Sequence, residues 1–176
     1  NTYGMGLFTN VVLQKGVAIF DADCLVLPEA DVLKYVPHDQ MVMHTVKQWD
    51  NDLLQMYGFD RFMNHSCEAN TYARRHNLNG TVIFQQVALR EIAAGEELTT
   101  DYNKFEYDCE DKLLNPCYCG SKSCVGRVLG FKDLSWENKL RYFPFIDDSS
   151  MNCFRRDNPN ILVINWNNHQ FVQCYQ

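Results

Sequence analysis

The sequence predicts one mainly β domain with small helices. Three observations carry this. The chain has 176 residues, the size of a single domain or one with a small appendage. Its 46% hydrophobic and 22% charged residues are the balance of a globular chain with a core. Its apolar runs are short and are punctuated by glycine and asparagine turns, whereas helix signals are few and brief.

Gly4 to Phe8 leads into Val11-Val12-Leu13, and Lys15-Gly16 turns the chain. Val17–Phe20 and Cys24–Leu27 read as two β-rich runs. Pro28 to Tyr35 reads as a short helix ended by Pro37, and residues 38–60 have mixed periodicity with no assignment. Thr71–Arg74 and Thr81–Leu89, joined by Asn77-Leu78-Asn79-Gly80, predict a hairpin, because Asn and Gly tolerate positive φ. Ala94-Gly95 turns again before Glu97–Tyr102. Ser135 is placed to cap a short helix ending before Pro144, and Ile161–Trp166 alternates only weakly.

The net charge of −6 is concentrated. Glu91 to Lys112 holds eight acids and two bases, and the rest of the chain sums to zero. Such a stretch attracts a basic peptide and repels a nucleic-acid backbone, unless it is simply a solvated acidic loop. No apolar run spans a bilayer. The start is neither a signal nor a transit peptide. It lacks Met and begins on a glycine motif, so the expectation is a trimmed N-terminus.

Eight cysteines is a high count. Cys117, Cys119 and Cys124 fall within eight residues, too close for three separate disulfides, and suit metal thiolates in a reducing compartment. Cys24, Cys109, Cys153 and Cys174 are scattered and read as buried thiols.

Four motifs occur in order: Gly4-Met5-Gly6, Arg61-Phe62-Met63-Asn64-His65-Ser66-Cys67-Glu68-Ala69-Asn70, Gly95-Glu96-Glu97-Leu98-Thr99-Thr100-Asp101-Tyr102, and Cys117-Tyr118-Cys119-Gly120-Ser121-Lys122-Ser123-Cys124. Alone, the first is a structural turn as readily as a ligand loop, and His65 a structural histidine. Together, over roughly residues 3–130, they resemble the SET-domain protein lysine methyltransferases with a post-SET zinc motif.

The resemblance implies the SET fold: several small β-sheets with a threaded, knot-like C-terminal segment, a rare exception to the rule against threading. It implies S-adenosylmethionine as methyl donor, held by Gly4, Met5, Gly6, Asn64 and by His65 through its main chain. It implies Tyr102 as the catalytic residue, also touching the donor. It implies a structural zinc on Cys67, Cys117, Cys119 and Cys124, closed and tetrahedral. The substrate would be a basic protein or peptide, a histone tail foremost, and the protein an intracellular monomer, nuclear if the substrate is a histone. No nucleic-acid or membrane partner is expected. The division expected is a SET domain over 1–107, a post-SET zinc loop over 108–130, and a C-terminal extension over 131–176 of unassigned role.

The sequence also departs from the family. Thr100 stands where Phe or Tyr is tied to the number of methyls added. Ala22 and Cys24 stand where Tyr and Gly are usual, which removes a channel aromatic; Tyr72, Phe84, Phe105 and Tyr107 are candidates to replace it, or ordinary core. Ala69 replaces a usual Pro. No cysteine-rich segment precedes the domain, and the trimmed start would account for that. A catalytically silent SET module that binds a peptide or partner is the alternative, and a stapled interaction domain without a donor site is a third reading.

Overall fold

The structure, a computed structural model, describes the backbone of residues 5–28, 45–47, 52–56, 58–78, 81–104, 107–108, 114–146, 148–166 and 169–174, with side chains described outside 23–28, 45–47, 52–56, 75–78, 81–82, 148–149 and 162–174. Among these the strands are β1 (Leu7–Phe8), β2 (Ala18–Pro28), β3 (Thr45–Lys47), β4 (Asp52–Met56), β5 (Asn64–His65), β6 (Thr71–Leu78), β7 (Thr81–Ala88), β8 (Glu97–Thr100), β9 (Ile161–Trp166) and β10 (His169–Cys174). The helices are α1 (Trp136–Tyr142) and α2 (Asp148–Asp157), with single 3-10 turns at Phe59–Phe62, Tyr102–Lys104 and Phe143–Phe145.

The strands form three sheets, ordered β3-β4-β2-β7-β6, β1-β8-β5 and β10-β9. The expected hairpin is β6–β7, in register from Thr71↔Ala88 to Leu78↔Thr81. The two runs expected at 17–20 and 24–27 are one strand, because Asp21, Ala22 and Asp23 continue the ladder opposite Gln85, Phe84 and Ile83. Gln85 Nε2 donates to Asp21 Oδ1 at 3.0 Å, so the polar break in the pattern is satisfied within the sheet. Val11–Leu13 does not extend as a strand: only Leu13 pairs, with Ile92, and Val11 and Val12 are exposed. The helix expected at Pro28–Tyr35 lies outside the described residues, apart from Pro28 at the end of β2. Gly16 and Gly95 turn the chain at φ 84° and 85°, where a Cβ would be strained.

The sheets β1-β8-β5 and β3-β4-β2-β7-β6 pack on each other. Met63, Ala88, Ile92 and Leu98 are buried between them, with Leu7, Leu13, Ile19 and Phe20 at the margin. Thr71 Oγ1 donates across the gap to the Thr99 carbonyl at 2.9 Å. A second core belongs to the extension: Phe131, Leu134, Tyr142, Phe143, Met151 and Phe154 cluster, with Tyr107, Ile146 and Ile161 against them. Ser135 caps α1 as expected, its side chain accepting the Asn138 N–H at 3.3 Å. The extension docks on the first sheets through Tyr72 and Phe145, whose ring centroids lie 5.0 Å apart.

Candidate active site and metal centre

The three-stranded sheet brings three motifs together. β1 follows the Gly-Met-Gly segment and pairs with β8 at Leu7↔Leu98. β5 runs parallel to β8, so Asn64 lies opposite Thr99 and His65 opposite Thr100. Asn70, which closes the second motif, fixes this arrangement. Its side chain donates to the Glu97 carbonyl at 2.8 Å and accepts the Thr99 N–H at 2.8 Å, and it is 2% exposed. Losing such a buried pair leaves backbone groups unsatisfied.

Gly6 shows why its motif needs glycine. A Cβ there would lie 3.2 Å from Asn64 Nδ2 and closer still to Glu97 Oε1. Asn64 Nδ2 donates to Glu97 Oε1 at 2.6 Å and to the Met5 carbonyl at 3.3 Å. The main chain of Met5 and Gly6 thus packs directly against Asn64 and Glu97, a cradle that a side chain at position 6 would push apart. Gly4 lies outside the described residues. Glu97, missed in the sequence reading, is the group that orients Asn64.

Tyr102 follows β8 on a 3-10 turn. Asp101 Oδ1 starts the turn by accepting the Asn103 N–H at 3.0 Å, which ends the strand at Thr100. The Tyr102 hydroxyl donates to the Met63 carbonyl at 2.7 Å, one residue before Asn64. Burial pushes this phenol up to about 12, so it stays protonated and acts as a hydrogen-bond donor rather than a base.

His65 is 9% exposed, and burial lowers its pKa, with the Asp101 charge opposing and Lys104 adding to the shift. The ring is neutral at physiological pH. Its Nδ1 accepts the Tyr102 N–H at 3.2 Å, so the ring proton sits on Nε2, facing Cys67 Sγ at 3.3 Å.

His65 Nε2 and the sulfurs of Cys67, Cys117 and Cys119 all lie within 4.8 Å of one another, and Cys124 Sγ lies 3.9 Å from Cys67 Sγ. Tetrahedral ligands at ~2.3 Å from zinc would sit roughly 3.8 Å apart. Between His65 and Cys124 for the fourth ligand, the tautomer decides: a protonated Nε2 has no lone pair for a metal, but it donates well to a thiolate. On that tautomer Cys67, Cys117, Cys119 and Cys124 are a candidate set with His65 as a hydrogen-bonding neighbour, while the ligand atoms that all fall within 4.8 Å of one another are those of His65, Cys67, Cys117 and Cys119. The surroundings suit thiolates. Cys119 Sγ accepts the Cys67 N–H at 3.5 Å and Cys124 Sγ the Gly126 N–H at 3.4 Å, and Ser121 Oγ lies 3.1 Å from Cys119 Sγ. As bare thiols Cys67 and Cys117 resist ionising. Burial raises both, whereas Cys119, against its own burial, is drawn down to about 6 by such bonds. A divalent cation is what would hold all four as thiolates. Cys67, Cys117, Cys119 and Cys124 form no disulfide.

Of the channel candidates, Phe84 is buried directly across from Ala22 on β7. Tyr72 stacks on Phe145 and Tyr107 packs on the extension's core, so neither lines that strand pair. Phe105 lies outside the described residues. Part of the acidic stretch is committed internally: Glu96 pairs with Arg90 and accepts from Asn70, Asp108 pairs with Lys132, and Asp101 is 1% exposed.

Residues 4–103 match the SET domain. The chain belongs to the SET-domain family. Three relatives of this SET domain are named histone-lysine N-methyltransferases. One, H3 lysine-4 specific, from Saccharomyces cerevisiae, is 43% identical over 75 residues, 43% of this chain and 7% of the relative. Two, H3 lysine-36 specific, each align to 78% of this chain: Schizosaccharomyces pombe at 27% over 154 residues, 18% of the relative, and Chaetomium globosum at 31% over 145 residues, 16% of the relative. The chain thus spans less than a fifth of the length of these relatives. A solved Plasmodium falciparum chain aligns at 21% identity with a TM-score of 0.47, covering 56% of this chain and 83% of that one. Among the described residues no helix is long and apolar enough to cross a membrane.

Proposed function

We propose that this SET domain transfers a methyl group from S-adenosylmethionine to the side-chain amine of a lysine in a protein, with a histone tail as the substrate and the nucleus as the place of action. The observation that carries the reading is the Tyr102 hydroxyl bonded to the Met63 carbonyl at 2.7 Å, adjoining the Asn64 and Gly6 cradle. The donor, when bound, supplies a methyl on a sulfonium that an amine displaces in line. The chain's own task is positioning. Met5, Gly6, Asn64 and the His65 main chain hold the donor, with Gly4 as the remaining member of the glycine motif. Tyr102, a donor of one hydrogen bond, and the Met63 carbonyl, an acceptor, fix where the methyl and the amine meet. Phe84 opposite Ala22 supplies apolar wall, which favours the neutral amine by desolvation.

Cys67, Cys117, Cys119 and Cys124 hold a structural zinc that ties the cysteine loop to the second motif. The functional division is a SET domain over 1–107, a zinc loop over 108–130 and an extension over 131–176 that braces both. The protein acts as a monomer. Its names-in-kind, the histone-lysine N-methyltransferases, support histone as the substrate class.

The second reading, a silent SET module, draws on Ala22 and Thr100, which leave the site without two expected aromatics. Incubation with labelled S-adenosylmethionine, core histones and a cell lysate separates the two. Label on a histone lysine supports the enzyme. Donor binding by calorimetry without label on any protein supports the silent module.

A further inference from the structure

Glu97 holds Asn64, but its own charge is so far unused. It lies on β8 opposite Phe8 of β1. Leu7 and Leu98, the next pair along, turn inward to the core, so Phe8 and Glu97 share the outward face. Gly6 belongs to that face as well, since a Cβ there would meet Glu97 Oε1. The face is accessible: Met5 is 67% and Phe8 53% exposed, and Asn64 and Glu97 are half-buried. Glu96, the neighbouring acid, is paired with Arg90, whereas Glu97 belongs to no ion pair among the described residues.

The neighbours of Asn64 decide which way its amide faces. An amide has two N–H donors and one carbonyl acceptor. Both donors are taken, one by Glu97 Oε1 at 2.6 Å and one by the Met5 carbonyl at 3.3 Å. A carboxylate and a carbonyl only accept. Turned over, the amide would set Oδ1 against two acceptors and lose both bonds. Asn64 Oδ1 therefore points away from them, and neither it nor Glu97 Oε2 has a hydrogen-bond partner among the described residues. Two free acceptors and one negative charge without a counter-ion thus stand beside the main chain of Met5 and Gly6.

The geometry points to Glu97 as the residue that makes this cradle select the α-ammonium of the methyl donor. This rests on the reading of the cradle as the S-adenosylmethionine site. It adds the residue that decides which end of the donor's amino-acid group is held there. That group ends in an ammonium, with three N–H donors, and a carboxylate, with acceptors only. The ammonium matches Glu97 Oε2 and Asn64 Oδ1. The carboxylate would meet the charge of Glu97 and find no free N–H on Asn64. Glu97 thus acts twice: it turns the Asn64 amide outward and it supplies the counter-charge. A hydrogen bond to a charged group contributes enough for roughly a tenfold or greater gain in affinity.

Calorimetry on the full chain tests this with three ligands. S-adenosylhomocysteine carries the amino-acid group without the sulfonium charge. Its deaminated analogue has hydrogen in place of the α-amino group, and its decarboxylated analogue has hydrogen in place of the carboxylate. The wild type should bind both ammonium-bearing ligands about tenfold or more tightly than the deaminated one. Glu97→Gln keeps the side-chain length and an oxygen for Asn64 and removes the charge. It should weaken the two ammonium-bearing ligands about tenfold and leave the deaminated analogue within about twofold, so the preference for an ammonium collapses. Equal weakening of all three ligands, with or without a lower Tm, overturns the inference, because Glu97 would then only hold the pocket together. Unchanged affinity for all three overturns it too, as does a wild type that binds the deaminated analogue as tightly as S-adenosylhomocysteine. In each of those cases the wild type still binds S-adenosylhomocysteine, and the donor reading stands without this role for Glu97. A wild type that binds none of the three overturns the donor reading, and the role of Glu97 with it.

Discussion

The cysteine loop and the C-terminal extension are neighbours in the chain and are held by opposite means. In the loop, Tyr118 is 66% exposed, and residues 118–127 contribute to neither apolar cluster. Its internal bonds are few, such as Cys117 N–H to the Gly126 carbonyl at 2.7 Å, with Ser123 reaching Glu68 at 2.9 Å. In the extension, Phe131, Phe143 and Phe154 are at most 1% exposed, with ring centroids 5.1 to 5.8 Å apart in edge-on geometry. A segment this short, lacking a core, must draw its order from the thiol cluster, whereas the extension carries its own core. The loop's thiols meet Cys67, two residues from His65, so under the proposed zinc site the proposed donor cradle would depend on the metal as well.

Three changes test this contrast. The largest effect is expected from metal removal, since structural zinc contributes apparent free energies of ~10–16 kcal/mol in zinc-finger peptides. Purified protein should hold one zinc per chain, and Cys119→Ser should lose it. Hydrogen exchange should then show amides of 114–128 unprotected while those of 150–154 keep their protection. Simultaneous loss in both segments would mean that the extension also depends on the metal. A smaller effect of the opposite kind is expected from Phe154→Ala, which should cost about 3–5 kcal/mol by denaturant unfolding while elemental analysis still finds one zinc. The smallest is Ser135→Ala, which removes the cap of α1 and should cost ~1 kcal/mol, without change in zinc or donor affinity.

The same contrast governs what could be read from sequence. Clustered thiols stand out by type and spacing, and Gly6, Asn64 and Tyr102 by their motifs, which the three-stranded sheet and the turn after it bring together. The extension's aromatics at 131, 143 and 154 follow no strand or helix period, because they come from a loop, a 3-10 turn and a helix, and only folding brings them together. The burial of Asp60 was hidden for a related reason. One acid between Phe59 and Arg61 looks solvated, and its burial depends on Gly58 lying flat against Ala22 from a distant strand. Its signal was an acid directly ahead of the second motif, at the end of a stretch of mixed periodicity that gave no assignment. The role of His65 also waited on structure, since the parallel pairing of β5 with β8 sets which ring nitrogen meets Tyr102 and which meets Cys67. The lone turn at Asp101 that ends β8 likewise reflects a side chain bonding its own backbone, which strand patterning does not register.

The central claim is that Tyr102 positions the reacting groups of a lysine methyltransferase, and one substitution tests it most directly. Tyr102→Phe keeps the ring, including its contact with His65 at 5.2 Å between centroids, and removes only the hydroxyl that bonds the Met63 carbonyl. A group aimed at the reacting centre is worth ~2.7–4 kcal/mol, or roughly a hundred- to a thousand-fold in rate. Single-turnover methyl transfer to core histones should therefore fall by about two orders of magnitude or more, with Tm and S-adenosylmethionine affinity close to wild type. Transfer by Tyr102→Phe at the wild-type rate would contradict the account.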